Sequence, residues 1–343
     1  MAPRSQPKAP FWWYGSGTSL TAFLLEPLAL VWELATQLRW AVTNPYRSKL
    51  PVICVGNLTV GGAGKTPTAI AVAEQLRSNG EAPVFLTRGY GGRIRGPHLV
   101  DVHRDSAADV GDEALLLAQT APVVVSADRA NGARLAEAQR SSVIVMDDGF
   151  QNPQLEKDFS ILVVDRAIGI GNGLIIPAGP MRGSLRFQLL KAQAVILIGA
   201  GTAASEVETR ARMLELPVFD ATVAPKSPTK WLKNKQVIAF AGIAHPEKFF
   251  QTAEQAGAQI IERHSFADHH AYTEEDAGGL LADAEKMGAL LITTEKDHVR
   301  LLETGEARAA LKKTARSLPV SLRLKNVKEF SALLTTALSC RQG

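Results

Sequence analysis

Cysteine is scarce in this chain: Cys54 and Cys340 are the only two among 343 residues. Two thiols make neither a disulfide framework nor a structural metal cluster, so a reducing compartment fits and packing must hold the fold. Cys54 lies inside an apolar run and reads as a small core residue. An excess of one charge sign is also missing, since 38 basic and 34 acidic residues leave a net charge of +4. Without a basic block interleaved with aromatics, that balance makes no case for a nucleic-acid partner. Long unbroken apolar runs are absent too. The stretch from Leu20 to Val42 is interrupted by Glu26, Pro27, Glu33 and Arg39, which argues against a clean membrane span. No small-residue cleavage site follows a basic segment, so a signal peptide is not expected. There is no internal repeat, and 46% hydrophobic content over this length suits a globular chain of two domains.

What is present begins with Val52-Ile-Cys-Val-Gly-Asn-Leu-Thr-Val-Gly-Gly-Ala-Gly-Lys-Thr-Pro67, an apolar run that breaks into a glycine-rich loop. That is the layout of a phosphate-binding loop between a buried strand and a helix. Thr59, Gly61, Gly62, Ala63 and Gly64 form the loop, whose backbone N–H groups can crowd around phosphate oxygens. Lys65 is placed to reach the β- and γ-phosphates and Thr66 to ligate Mg²⁺, so the pattern predicts ATP-type nucleotide and Mg²⁺ binding. The strict pattern wants glycine at position 59, where this chain has Thr59. A second apolar run, Val143-Ile-Val-Met, ends in Asp147 and Asp148, where a nucleotide-binding sheet places its metal ligand or the partner of its bound water.

From residue 51 onward the pattern is α/β. Buried strands are expected at Val52–Val55, Val84–Thr87, Val123–Ser126, Val143–Met146, Ile161–Val164 and Ala194–Ile198. Helical stretches at Thr68–Ser78, Asp112–Ala118 and Arg129–Gln139 alternate with them, which predicts a doubly wound parallel sheet. Residues 216–230 read as an extended connector. Strands near Val237–Gly242, Ile260–Glu262, Leu290–Thr294 and Val320–Leu324 then predict a second, smaller Rossmann-like α/β domain over 231–343, with the nucleotide cleft between it and the 51–215 domain. Residues 1–50 carry five basic residues, including Arg4 and Lys8, against two acidic ones. Aromatic and basic residues around an apolar helix suit an interfacial element on an anionic membrane surface. A helix packed on the domain or on a partner subunit is the alternative.

Several smaller groups carry chemistry. Thr87-Arg-Gly-Tyr-Gly-Gly-Arg93 suits an anionic ligand through its glycines and its two arginines, Arg88 and Arg93, or is simply a surface loop. Asp112, after Gly111, is either a helix cap or a functional carboxylate. Arg182, after Pro177-Ala-Gly-Pro-Met181, has the chemistry to grip a phosphate bidentately. Phe266-Ala-Asp-His-His-Ala-Tyr272 offers His269 and His270 as general base, metal ligand or hydrogen-bond donor, or is a solvated loop; with no cysteines and few carboxylates nearby, zinc is not expected. Thr294-Glu-Lys-Asp297 offers Glu295, Lys296 and Asp297 for nucleotide or interdomain contacts.

Taken in order, these motifs resemble the tetraacyldisaccharide 4′-kinase family of lipid A biosynthesis. The matching segments are Gly56–Pro67 (including Thr59), Thr87–Gly92, Gly111-Asp-Glu113, Asp147-Asp-Gly-Phe-Gln151, Pro177–Pro180 with Arg182, Phe266 with Asp268-His269-His270, and Thr294–Asp297. The resemblance implies ATP-dependent, Mg²⁺-assisted phosphoryl transfer to the 4′-hydroxyl of an acylated glucosamine disaccharide 1-phosphate, giving the bis-phosphorylated lipid A precursor. It implies a peripheral protein at the cytoplasmic face of the bacterial inner membrane, docked by an N-terminal helix. Carried over by position, Asp112 takes the hydroxyl proton, His269 tunes it, and Thr66, Glu113, Asp147 and Asp148 serve the metal. Family members often have glutamate after the arginine of Pro-Ala-Gly-Pro-x-Arg. This chain has Gly183, so that acid's role is not carried over. The rival reading is a membrane-associated P-loop switch ATPase, whose signature lysine before the paired glycines is here Val60. A GTPase would need a residue between Lys296 and Asp297.

Overall fold

The computed structural model describes residues 9–15, 19–226, 229–302, 304–339 and 341. Arg4, Lys8, Cys340 and two of the connector residues, Ser227 and Pro228, lie outside the described residues. A short 3-10 turn, Phe11–Trp13, precedes α1 (Leu20–Val42). Then come β1 (Val52–Asn57), α2 (Lys65–Ser78), β2 (Pro83–Thr87), β3 (His98–Leu99), α3 (Ala107–Val110) and α4 (Asp112–Ala118). The chain continues through β4 (Val123–Val125), α5 (Arg129–Glu137), β5 (Val143–Asp147), β6 (Phe159–Asp165), α6 (Leu185–Leu189), β7 (Ala194–Ile198), α7 (Ser205–Met213) and β8 (Val218–Pro225). A second set follows: β9 (Gln236–Ala241), α8 (Pro246–Gln255), β10 (Gln259–Ser265), α9 (Glu274–Met287), β11 (Leu290–Thr293), α10 (Glu295–Arg300), α11 (Glu306–Thr314) and β12 (Arg316–Ser317). The chain closes with β13 (Val320–Leu324) and α12 (Val327–Ser339).

The large sheet runs β13-β8-β7-β6-β1-β5-β2-β4-β3. From β8 to β4 all neighbours are parallel, and only the edge strands β13 and β3 are antiparallel to theirs. Alternation explains its two buried faces: Ile53 and Val55 of β1 enter one core with α2, while Val52 and Cys54 enter the other. Helix α2 buries Ala69, Val72, Ala73 and Leu76, spaced i, i+3, i+4, i+7, against β5 and β13. Fully burying side chains such as Val72 and Leu76 contributes about 1.5–3 kcal/mol each. The small sheet, β10-β9-β11-β12, is parallel throughout and covered on both faces by its own apolar clusters.

Two boundaries differ from the sequence reading. Val218–Pro225, expected as connector, is strand β8 of the large sheet. Val320–Leu324, expected in the small domain, is β13 and pairs with β8. Helix α12 likewise packs on α2, and Phe330 meets Phe219 edge-on at 5.2 Å. Leu322, Phe330 and Leu334 share the core of Ile53 and Phe219, so burying them required the chain to return. The small unit is therefore an insertion between β8 and β13.

Candidate active site

The loop between β1 and α2 is stitched to the Pro177–Arg182 segment. Val60 N–H donates to Pro180 O at 2.8 Å, and Arg182 N–H to Leu58 O at 2.9 Å. Gly64 caps α2 with φ 84°, a left-handed conformation in which any side chain would be strained. No side chain caps this helix start, which leaves the dipole end and its N–H groups to a ligand. Lys65 Nζ donates to Gly61 O at 3.2 Å and sits 3.8 Å from Asp148 Oδ2. A cleft beside the loop is lined by Thr59, Gly61, Gly62, Asp165 and, from the small unit, His245.

At the end of β5 the two carboxylates have opposite characters. Asp147 accepts from Thr66 Oγ1 at 3.3 Å, while its buried Oδ1 has no partner. Burial, with Glu113 and Asp148 nearby, pushes its carboxyl up to about 7. An orphaned carboxylate oxygen beside a threonine hydroxyl fits a hard divalent cation such as Mg²⁺, whose charge would reverse that penalty. For Asp148 burial also pushes upward, but Lys65 and Arg182 outweigh it and hold the carboxyl below its usual range. Arg182 is committed here. Its Nη1 lies 3.0 Å from Asp148 Oδ1, and its Nε donates to Thr59 O at 3.2 Å.

A third group spans the two units. Asp112 starts α4 just after Gly111, whose φ of 88° brings the chain against Tyr90 O. Gly92 packs as tightly on Val110 and Gly111, so the Thr87–Arg93 loop buttresses the start of α4. Asp112 is 3% exposed, and only Glu113 N–H, at 2.8 Å, reaches it from its own helix. From the small unit, His269 Nδ1 approaches Asp112 Oδ2 at 3.1 Å and Arg300 Nε at 2.6 Å. Burial alone would raise this carboxyl, yet the bond from His269 and the charge of Arg300 hold it far below the carboxylate range. Beside it, Lys296 Nζ reaches Glu113 Oε1 at 2.5 Å.

A family profile described as tetraacyldisaccharide-1-P 4′-kinase matches residues 21–339. The chain belongs to this family. A tetraacyldisaccharide 4′-kinase of Parvibaculum lavamentivorans is 47% identical over 97% of this chain and 98% of its own length. One of Rhodospirillum centenum is 44% identical over 97% of each chain. The crystal structure of LpxK from Aquifex aeolicus in complex with ATP superposes with a TM-score of 0.73 at 26% identity, covering 93% of this chain and 100% of that one. The fold class read from the sequence, a P-loop-type doubly wound sheet with a smaller α/β unit, is the fold of this tetraacyldisaccharide 4′-kinase family member.

Of the residues singled out in this kinase sequence, Thr59, Gly61, Gly62, Ala63, Gly64, Lys65, Thr66, Asp147, Asp148 and Arg182 converge at the loop. Asp112, Glu113 and His269 meet at the interface of the units. His270 turns away: its Nε2 lies 3.0 Å from Asp276 and its ring stacks on Phe266. Arg88 is exposed. Arg93 pairs with Asp109 at 2.6 Å rather than facing the loop. Sequence reasoning missed Arg300 and Arg129, the latter buried with its Nε unpartnered. Neither stands in a glycine-rich or strand-ending motif. At Gly183 an added Cβ would meet nothing nearer than 3.9 Å, so glycine there is not a steric requirement.

Proposed function

We infer that this chain transfers the γ-phosphate of ATP to the 4′-hydroxyl of tetraacyldisaccharide 1-phosphate, giving the bis-phosphorylated lipid A precursor. The observation that carries the reading is the contact of His269 with Asp112 beside an intact phosphate-binding loop in a member of this family. The loop N–H groups and Lys65 bind the phosphates, and Thr66, Asp147, Asp148 and Glu113 hold the metal. Mg²⁺, when bound, supplies neutralising charge and orients the phosphates. Asp112 accepts the proton of the sugar hydroxyl as its oxygen attacks the γ-phosphorus and the bond to ADP breaks. His269 orients Asp112 and stabilises its charge. Arg182 holds Asp148 and the loop in register, and Arg88, which is exposed, meets the anionic lipid. His269 is preferred to its neighbour because His270 is engaged elsewhere.

The site lies on a peripheral protein at the cytoplasmic face of the inner membrane. Helix α1 supports this, since Leu24, Leu28, Val31 and Leu38 are each more than half exposed along one face. No helix among the described residues is long and apolar enough to cross a membrane. Trp13 Nε1 donates to Pro177 O at 3.1 Å, and Trp40 packs on Phe187. These contacts hold the 3-10 turn and α1 against the large unit near Pro177 and Phe187, which supports a lipid surface lying beside the loop. The test is incubation with γ-labelled ATP, Mg²⁺ and the tetraacyl disaccharide 1-phosphate in detergent micelles. Label on the lipid is expected. Hydrolysis of ATP without labelled lipid would overturn the reading in favour of a switch ATPase.

A further inference from the structure

The contact between Arg300 and Asp112 is built from the small unit outward. Asp297, at the third residue of α10, is fully buried. Its Oδ1 accepts from Gly242 N–H, Tyr272 O–H and Arg300 Nη1 at 3.0, 3.0 and 2.9 Å, and its Oδ2 from Thr294 Oγ1 at 2.6 Å. Arg300 Nη1 also donates to Gly242 O at 2.6 Å. Gly242 has little room for more: a Cβ would stand 3.0 Å from Asp297 Oδ1 and 3.1 Å from Ala267 O. One side of the guanidinium is thus locked to the end of β9 and to α10. The opposite edge, Nε and Nη2, faces Asp112 and places both donors on Oδ2. Oδ1 receives only Glu113 N–H, and a carboxylate oxygen has a second lone pair.

We propose that Arg300 is a positioning residue for phosphoryl transfer: it clamps Asp112 Oδ2 from the small unit and so aims Oδ1 at the acceptor hydroxyl. This rests on the functional reading above. The large unit offers Asp112 one backbone donor, whereas the small unit offers it His269 and the Arg300 fork. The acceptor geometry therefore exists only when the two units are in contact. A planar guanidinium suits this work better than an ammonium, since its Nε and Nη2 both hold Oδ2 while its Nη1 is anchored on Asp297 and Gly242, which a single point charge cannot do.

The test compares Arg300→Gln and Arg300→Lys with the unaltered chain, with turnover normalised to the number of nucleotide-binding sites. Arg300→Gln is expected to lower kcat about 100-fold, the order a displacement of about 1 Å costs, while KM for ATP and for the lipid stay within about threefold. Arg300→Lys should recover part of that loss. In single turnovers in an Asp112→Asn background, adding Arg300→Gln should cost less than about threefold more, because its route of action is already gone. Unchanged kcat in Arg300→Gln, or losses that multiply in the double variant, overturn the inference. A rise in KM alone assigns Arg300 to binding and overturns it equally. If Arg300→Gln does not fold, Arg300→Lys and its double variant carry the same comparison. Failure of the unaltered chain to label lipid is a different result, and it overturns the functional reading itself.

Discussion

At the scale of single residues, environment rather than identity separates three aspartates. Asp147 is buried with one orphaned oxygen and has its carboxyl pushed up to about 7, which suits an incoming cation. Asp148 is neutralised by Lys65 and Arg182. Asp112 is held ionised by His269 and Arg300. Replacing Asp112 by alanine should cut transfer by about 10²–10⁴-fold, the range for losing a general base. ATP affinity, measured by calorimetry, should remain nearly unchanged, and loss of nucleotide binding with normal residual turnover would refute the role. Lys65→Ala should do the reverse to binding, weakening ATP strongly, because the ammonium is the loop's only side-chain cation.

At the scale of elements, α2 and α1 show two uses of an apolar face. In α2 the face is buried, so Leu76→Ala should cost about 2–5 kcal/mol of stability, read from denaturant midpoints, with the cavity adding to lost transfer energy. In α1 the face is open. Changing Leu24, Leu28 and Val31 together to glutamine should release the protein from phosphatidylglycerol vesicles while leaving its melting temperature within a few degrees. Unchanged sedimentation with vesicles would refute the interfacial role. The 3-10 turn that precedes α1 is already committed, since Trp12 O and Trp13 O accept from Asn172 at 3.1 and 2.8 Å.

At the scale of the molecule, the small unit interrupts the large sheet between β8 and β13 and touches the α4 start through Lys296, Arg300 and His269. Among the described residues, two chain crossings and four ionic contacts, the fourth between Lys248 and Asp165, join the units, an arrangement that permits hinge motion about a cleft. ATP with Mg²⁺ at about 100 times its dissociation constant should stabilise the folded chain by about 2.7 kcal/mol. A thermal shift that vanishes in Lys65→Ala would check that the loop is the site responsible.

The phosphate loop, the Asp147-Asp148 strand end and the parallel sheet were legible in the sequence, because each rests on local rules. Glycine permits a turn that other residues cannot make, β-branched runs form buried strands, and carboxylates end them. The pairing of Asp112 with His269 was legible only through family resemblance, since no spacing rule joins residues so far apart. The sequence read Val218–Pro225 as connector and put Val320–Leu324 in the smaller domain, whereas the large sheet takes both. An apolar strand pattern states that a face must be buried without naming its neighbour. Arg300 was invisible for the same reason: it sits in an ordinary helical turn, and only the docking of one unit on the other brings its fork to Asp112. Local chemistry determined the parts of the nucleotide site, and long-range packing decided which side chains meet Asp112.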